Sequence, residues 1–265
     1  MKIIRPYAKL LSPVSDFMNE SNVLYKPFTK QDGINCLKRI EWAARISHRS
    51  EEEQKESSYE RFIKAVVLTH GDWSVVEHAT VSVDCVTDRG ITHEIVRHRL
   101  FGYTQESTRF VNYEKKMPPS FIYPKPDVEC IRCLAGEQPT RNDAFLMGED
   151  VGWYLHSDNT HCAYDLFWLD AILVVEAQYR SLLRKGWRPQ EARSVFPNAL
   201  ASRIVITGNL RNWRHFFLMR TTKEAHPQMR QIMQPLLLEF KEKIPVLFDD
   251  IEPNARQVDN IAKGR

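Results

Sequence analysis

The chain has 265 residues, 43% of them hydrophobic, and its 37 Lys and Arg nearly balance 34 Asp and Glu for a net charge of +3. That is enough apolar material for a core without metal or disulfide support, and too little net positive charge for a nonspecific grip on nucleic acid. No stretch approaches the roughly 20 apolar residues a membrane-spanning helix needs, MKIIRPYAKLLSPVSD is broken by charge and Pro before a signal-like apolar run can form, and five scattered Cys read as the reduced thiols of a cytoplasmic protein.

DGINCLKRIEWAARISH (32–48) spaces Ile34, Leu37, Ile40 and Ala44 at helical intervals, which predicts an amphipathic helix capped by Asp32 and carrying Arg45, Ser47 and His48 at its end. A second helix is expected over 57–68, with Gly71 just beyond it as a stop. TVSVDCV (80–86) alternates Val81, Val83 and Cys85 with Thr80, Ser82 and Asp84, the period of a half-buried strand. After DRG, ITHEIVRHRL reads as a short helix that would set Glu94 on the side of Arg97 and His98. FVNYE and SFIYP are short strand candidates. Residues 124–160 have turn-forming composition and no period, and read as an irregular surface insertion. From about His161 to Lys185, Leu166, Leu169, Leu173 and Ala177 stay in helical register, with Gly186 closing the helix. LASRIVITGN (200–209) is a β-branched strand leading into a basic, aromatic helix, NLRNWRHFFLMR. Met229, Ile232, Met233, Leu236, Leu237, Phe240, Ile244 and Leu247 form one stripe of a last helix that Pro235 should bend. No repeat or linker justifies a domain cut, so 1–265 reads as a single domain.

With only ten glycines, the sequence has neither G-x-G-x-x-G after a strand nor G-x-x-x-x-G-K-[ST], so side chains must hold any phosphate. Arginine suits the task because its planar fork donates two parallel hydrogen bonds and stays charged. Arg97, Arg99 and Arg109 are candidates, as are Arg193, Arg203, Arg211, Arg214 and Arg220; the alternative for any one of them is a solvated helix face. RHRLFGYTQESTR (97–109) concentrates three of them among Tyr103, Gln105, Ser107 and Thr108, hydrogen-bonding groups that suit a sugar or base edge. His98, flanked by two cations, should be a neutral hydrogen-bonding group.

Arg97-His98-Arg99, seven residues, then Ser107 resembles the R-H-R-x7-S signature of flavin-dependent thymidylate synthases, and QESTRF with the following VNY extends the likeness. AARISH (43–48), HGDWSVVEH (70–78), EARSVFPNALASRIVITGNLRNWRHFF (191–217) and MRTTKEAHPQMR (219–230) resemble further blocks of that family in the same order. The resemblance implies an α+β fold, a mixed α/β single domain with an antiparallel sheet flanked by helices, assembled as a homotetramer with shared active sites. It implies reductive methylation of deoxyuridylate to thymidylate, with methylenetetrahydrofolate as one-carbon donor, bound FAD, and NADPH as reductant. The substrate positions it implies are Glu94, Arg97, Gln105, Glu106, Ser107, Thr108, Arg109, Arg193 and Arg220, with Arg109 and Arg193 on the phosphate and Arg220, on the uracil edge, as the principal catalytic group. The FAD positions are Ser47, Ser74, Glu77, Arg97, His98, Arg99, Gln105, Asn209, Arg211, His215 and His226. Fixed cations there would stabilise an electron-rich reduced flavin. Ser107 is read as a binding group, because the motif holds no adjacent base to activate its hydroxyl. The partners implied are small molecules, with no nucleic acid, membrane or metal.

Cys130-x-x-Cys133 with His156, His161 and Cys162 could make a zinc site, but one C-x-x-C without a second tight pair reads as ordinary loop thiols. Two rival classes are a phosphate-transfer enzyme using His98, for which the motif lies too far from the N-terminus and lacks a Gly, and a base-stacking RNA module, which the near-neutral charge disfavours.

Overall fold

The computed structural model describes residues 2–13, 27–115, 118–124, 144–147, 151–155 and 161–255. Strand β1 (Lys2–Ile4) pairs in parallel with β5 (Ser120–Ile122), Lys2 opposite Ser120. Strands β2 (Tyr7–Leu11), β3 (Thr80–Asp88), β4 (Gly102–Gln105) and β9 (Ala201–Asn209) form a sheet of order β2-β3-β9-β4. A third, antiparallel sheet runs β6 (Ala144–Met147), β7 (Val151–Leu155), β8 (His161–Asp165). With the helices below, this is the α+β class that the sequence led us to expect.

Contacts divide the chain into two compact units: Met1–Tyr7, Val86–Ile95 and Gln105–Ile204 make the first, and Ala8–Cys85, Val96–Thr104 and Val205–Arg265 the second. The division runs through β3 and β9, so neither unit is a continuous piece of chain.

In the first unit, helix α4 (Leu166–Arg184) lays Ile172 against Phe121 and Leu200, and its Tyr179 stacks on Phe196 at 4.4 Å beside Tyr113. The helix starts at Leu166 rather than near His161, because 161–165 belong to β8. Part of the stretch read as irregular, 124–160, holds β6 and β7. Phe145-Leu146-Met147 and Val151-Gly152-Trp153-Tyr154-Leu155 are apolar runs without the polar alternation that signals a strand, which is why periodicity missed them. FVNYE is no strand: the chain turns at 108–110 and 113–115, leaving Phe110 74% exposed and Tyr113 buried. Short helices α3 (Arg89–Ile95) and α5 (Pro189–Ala192) complete what the site needs.

In the second unit, helix α1 (Lys30–Ile46) is capped by Thr29, not by Asp32. The Thr29 hydroxyl accepts from the Asp32 N–H at 3.2 Å while the Asp32 carboxylate accepts from the Thr29 N–H at 2.8 Å, a reciprocal box with Asp32 in the third helical position. The second helix begins as α2 (Tyr59–Phe62) and widens into a π-helical run, Ile63–Thr69, before Gly71 (φ +85°) ends it as predicted. Helix α6 (Leu210–Arg220), capped by Asn209, buries Trp213, Phe216 and Phe217; α7 (Pro227–Lys243) adds Phe240, 4.9 Å from Phe217 and 5.4 Å from Trp213. Ile244 and Leu247 lie past the end of α7 yet stay buried, so the stripe outlasts the helix. Pro235 sits inside α7 without ending it.

Gly33 is where α1 meets the end of α7: a Cβ there would lie 1.8 Å from the Lys243 carbonyl oxygen. Gly33→Ala must push backbone against backbone, and it should cost about 1–3 kcal/mol or more. Urea unfolding should show a lower midpoint than wild type; an unchanged midpoint would mean the helices do not approach so closely.

Candidate active site

The first unit presents the end of the opening stretch. Gln105, at the end of β4, donates from Nε2 to the buried hydroxyls of Thr92 on α3 (2.9 Å) and Ser202 on β9 (3.0 Å), so its carboxamide is oriented from two elements. Glu106 is held harder: Oε1 accepts from the Tyr113 phenol at 2.9 Å, Oε2 from the Arg203 N–H at 3.4 Å, and its own N–H donates to the Arg203 carbonyl at 2.8 Å. Burial, with the Glu106 carboxylate beside it, pushes the Tyr113 phenol well above its ordinary range, so it remains a donor. Glu94 lies half-buried on α3.

Ser107 starts a turn in which its hydroxyl accepts from the Arg109 N–H at 3.3 Å. Thr108, only 5% exposed, accepts from Arg193 Nη1 at 3.0 Å, and Arg109 Nε donates to Gln190 Oε1 on α5 at 3.2 Å while its guanidinium lies 5.2 Å from the Phe110 ring. Arg109 and Arg193 are both exposed, and among the described residues neither has a carboxylate partner. The contrast with Arg45–Glu41, Arg180–Glu176 and Arg188–Glu191, all ion-paired, is direct. Two guanidinium groups are thus tied down at one edge by neutral oxygens, with their charge uncompensated and facing out. An anion is what that arrangement accepts.

The second unit holds the R-H-R end. Helix α3 stops at Ile95, so Arg97 and His98 follow it in a turn and the predicted helical alignment with Glu94 does not exist; the chain has to reach β4 by Gly102. Arg97 and Arg99 are exposed and His98 between them turns inward. Its carbonyl accepts from the Tyr103 hydroxyl at 2.7 Å, the Leu100 carbonyl accepts from Asn212 Nδ2 at 2.9 Å, and Phe101 packs on Trp213 at 4.9 Å, which pins the segment onto α6. Gly208 is required there, since a Cβ would meet the Phe101 ring at 2.3 Å.

Arg220, the last residue of α6, donates from Nε to His98 Nε2 at 2.8 Å. The imidazole also packs on Phe216 at 4.4 Å and lies 6.3 Å from the His215 ring. Burial, then the Arg220 charge, then His215 push its pKa down from 6.5 to about 4. It is the neutral acceptor that the sequence suggests, with the ring proton on Nδ1.

The remaining flavin positions fall in this unit. Glu77 pairs with Arg211 at 2.5 Å, both half-exposed. Asn209 caps α6 by accepting from the Asn212 N–H at 2.8 Å, and His226 caps α7, its Nδ1 accepting from the Gln228 N–H at 3.3 Å. Ser47 closes α1 with its hydroxyl on the Ala44 carbonyl at 2.8 Å; Ser74 and His215 are exposed. Arg214, one of the phosphate candidates, is structural: 3% exposed, it donates to both Asp250 carboxylate oxygens and to the Leu247 carbonyl, with Trp73 4.6 Å away. Arg97 and Arg220 therefore belong to the second unit, and Arg109 and Arg193 to the first. The Cys130, Cys133 and His156 of the zinc reading lie outside the described residues.

The family model described as thymidylate synthase complementing protein matches residues 34–246. The flavin-dependent thymidylate synthase of Mycobacterium avium (strain 104) is 30% identical over 261 residues, covering 95% of this chain and 92% of that one. That of Corynebacterium efficiens is 32% identical over 199 residues, 75% of this chain and 70% of the relative. The chain belongs to the flavin-dependent thymidylate synthase family. Its fold is similar to that of a UMP/dUMP methylase, PolB of Streptomyces cacaoi, crystallised with 5-Br dUMP: TM-score 0.60 at 17% identity, covering 94% of this chain and 96% of that one.

Ser202 lies in a family block and Thr92 outside them, and nothing in their spacing marks either as a clamp on Gln105. Gln190 sits 81 residues from Arg109, and no local pattern could have paired them. Among the described residues, no helix is long and apolar enough to cross a membrane.

The lowered pKa of His98 has a definite pH signature. An unfolded histidine takes a proton near 6.5 and folded His98 near 4, so this group makes the folded state lose stability as pH falls from about 6.5 to about 4, with no further loss below. In 15N-histidine NMR, the His98 ring should stay neutral down to pH 5, and Arg220→Ala should move its midpoint part of the way back toward 6.5, because burial is the larger cause. A wild-type midpoint near 6.5 would contradict the contact.

Proposed function

We propose that this family member makes thymidylate from deoxyuridylate, with methylenetetrahydrofolate as one-carbon donor, FAD as bound flavin and NADPH as the reductant that recharges it. The observation that carries the reading is the pair Arg109 and Arg193, exposed, without carboxylate partners, and each anchored through a neutral oxygen. A nucleoside monophosphate supplies the dianion such a pair accepts.

In this reading Arg109 and Arg193 take the phosphate, while Ser107 and Gln105 orient the nucleotide by hydrogen bonds. Arg220 takes the uracil edge, where a fixed cation stabilises charge that develops on the ring carbonyl oxygens as the base turns nucleophilic at C5. Bound FAD supplies a hydride. The residues present fit it: Arg97 and Arg99 are exposed, with no hydrogen-bond or carboxylate partner among the described residues, and they favour an anionic flavin, while Ser47, Ser74 and the Glu77–Arg211 pair offer hydrogen bonds to its polar parts. His98, Asn209, His215 and His226 belong to the same cofactor set. The assembly proposed is a homotetramer with shared sites, in the cytoplasm, where Cys36 and Cys85 stay as free thiols.

Methylation replaces the hydrogen on C5 of the base, so 5-tritiated deoxyuridylate should release tritium only when methylenetetrahydrofolate and NADPH are supplied to the flavin-loaded protein. The purified protein should carry a flavin absorption band. Absence of tritium release with every component present would overturn the reading. Arg193→Lys keeps the charge and loses the fork, so deoxyuridylate affinity by calorimetry should fall about 10- to 100-fold, roughly 1.5–3 kcal/mol, with flavin content unchanged.

A further inference from the structure

We propose that His98 is a positioning residue for Arg220: its imidazole holds the guanidinium at Nε, so that the plane of the cation is set before substrate arrives. The proposal rests on the synthase reading above, in which Arg220 is the group on the uracil edge.

The geometry is specific. Arg220 ends α6, where a long side chain has several rotamers of similar energy, and because the guanidinium is a rigid plane a bond at its Nε–H constrains the rotation of the whole group. That donor points at His98 Nε2 at 2.8 Å. The acceptor ring is itself immobilised: it packs on Phe216, one turn before Arg220 on the same helix, and its backbone is held by Tyr103. Phe216 is fully buried in the aromatic core, so the chain of contacts runs from core to imidazole to guanidinium.

The choice of acceptor has a consequence. A carboxylate in this place would make a stronger bond but cancel the charge that stabilises an electron-rich pyrimidine. A neutral imidazole orients the cation and adds no negative charge of its own. The burial that keeps His98 neutral is therefore part of the same device. A nearby histidine that acted only as a flavin contact would have no need to spend its Nε2 lone pair on Arg220.

Glutamine can present a carbonyl oxygen where Nε2 lies, and leucine cannot. Tritium release should therefore be measured at saturating FAD and deoxyuridylate for wild type, His98→Gln and His98→Leu. The leucine variant should lose about 10- to 100-fold in kcat with a smaller change in KM, and the glutamine variant should recover most of that loss. Recovery of full kcat by His98→Leu once FAD is saturating, or equal impairment of both variants, would overturn the proposal. Should the leucine variant fail to fold, wild-type protein labelled with 15N arginine and histidine decides: a coupling across the hydrogen bond between Arg220 Nε and His98 Nε2 is expected, and its absence overturns the contact. Wild-type protein that releases no tritium would instead strike the synthase reading, a result separable from the NMR measurement.

Discussion

Arg109 and Arg193 are anchored through neutral acceptors. Gln190 takes Arg109 and Thr108 takes Arg193, whereas Arg45, Arg180, Arg188, Arg211 and Arg214 bond carboxylates. The difference decides what each cation can do. A guanidinium paired with a carboxylate has its charge offset and its fork occupied; one tied at a single edge to an amide or hydroxyl keeps its charge and has been oriented in advance. Orientation in advance matters for catalysis because the donors then need no rearrangement when charge develops on the substrate.

The scaffold serves that constraint in each unit. In the second, Trp213, Phe216 and Phe217 sink one face of α6 into an aromatic core, which fixes where Arg220 leaves the helix, while Asn212 and the Phe101 ring bring the R-H-R turn onto that helix. In the first, the Tyr113 phenol and the Arg203 N–H each bond one oxygen of the Glu106 carboxylate, so the only acid within the Gln105–Arg109 run holds the turn and pairs with neither Arg109 nor Arg193. The same stretch of thirteen residues thus mixes candidate binding groups with groups that hold them in place.

Much of this was legible in the sequence, and the failures are instructive. Strong period made α1, β3, β9 and the α7 stripe readable, and Gly71 marked a real stop. Thr29 displaced Asp32 as cap because a reciprocal box uses both residues, and only the pair of distances shows which is which. The R-H-R segment continued a helical pattern that ends at Ile95, since the demand of β4 outweighs local propensity. β6 and β7 escaped because apolar runs lack alternation, and β8 reads in sequence as the start of the helix that follows it. At the site, residue types identified the cations but not their anchors: Gln190 meets Arg109 and Thr108 meets Arg193 across 81 and 85 residues, and Arg214 looked like its neighbours until burial and Asp250 set it apart.

The most direct measurement is a crystal structure of the protein grown with FAD and deoxyuridylate. The account predicts phosphate oxygens on the outward edges of Arg109 and Arg193, with the Gln190 and Thr108 bonds kept. A nucleotide phosphate bound away from both guanidinium groups, or reached only after they abandon those neutral anchors, would contradict it.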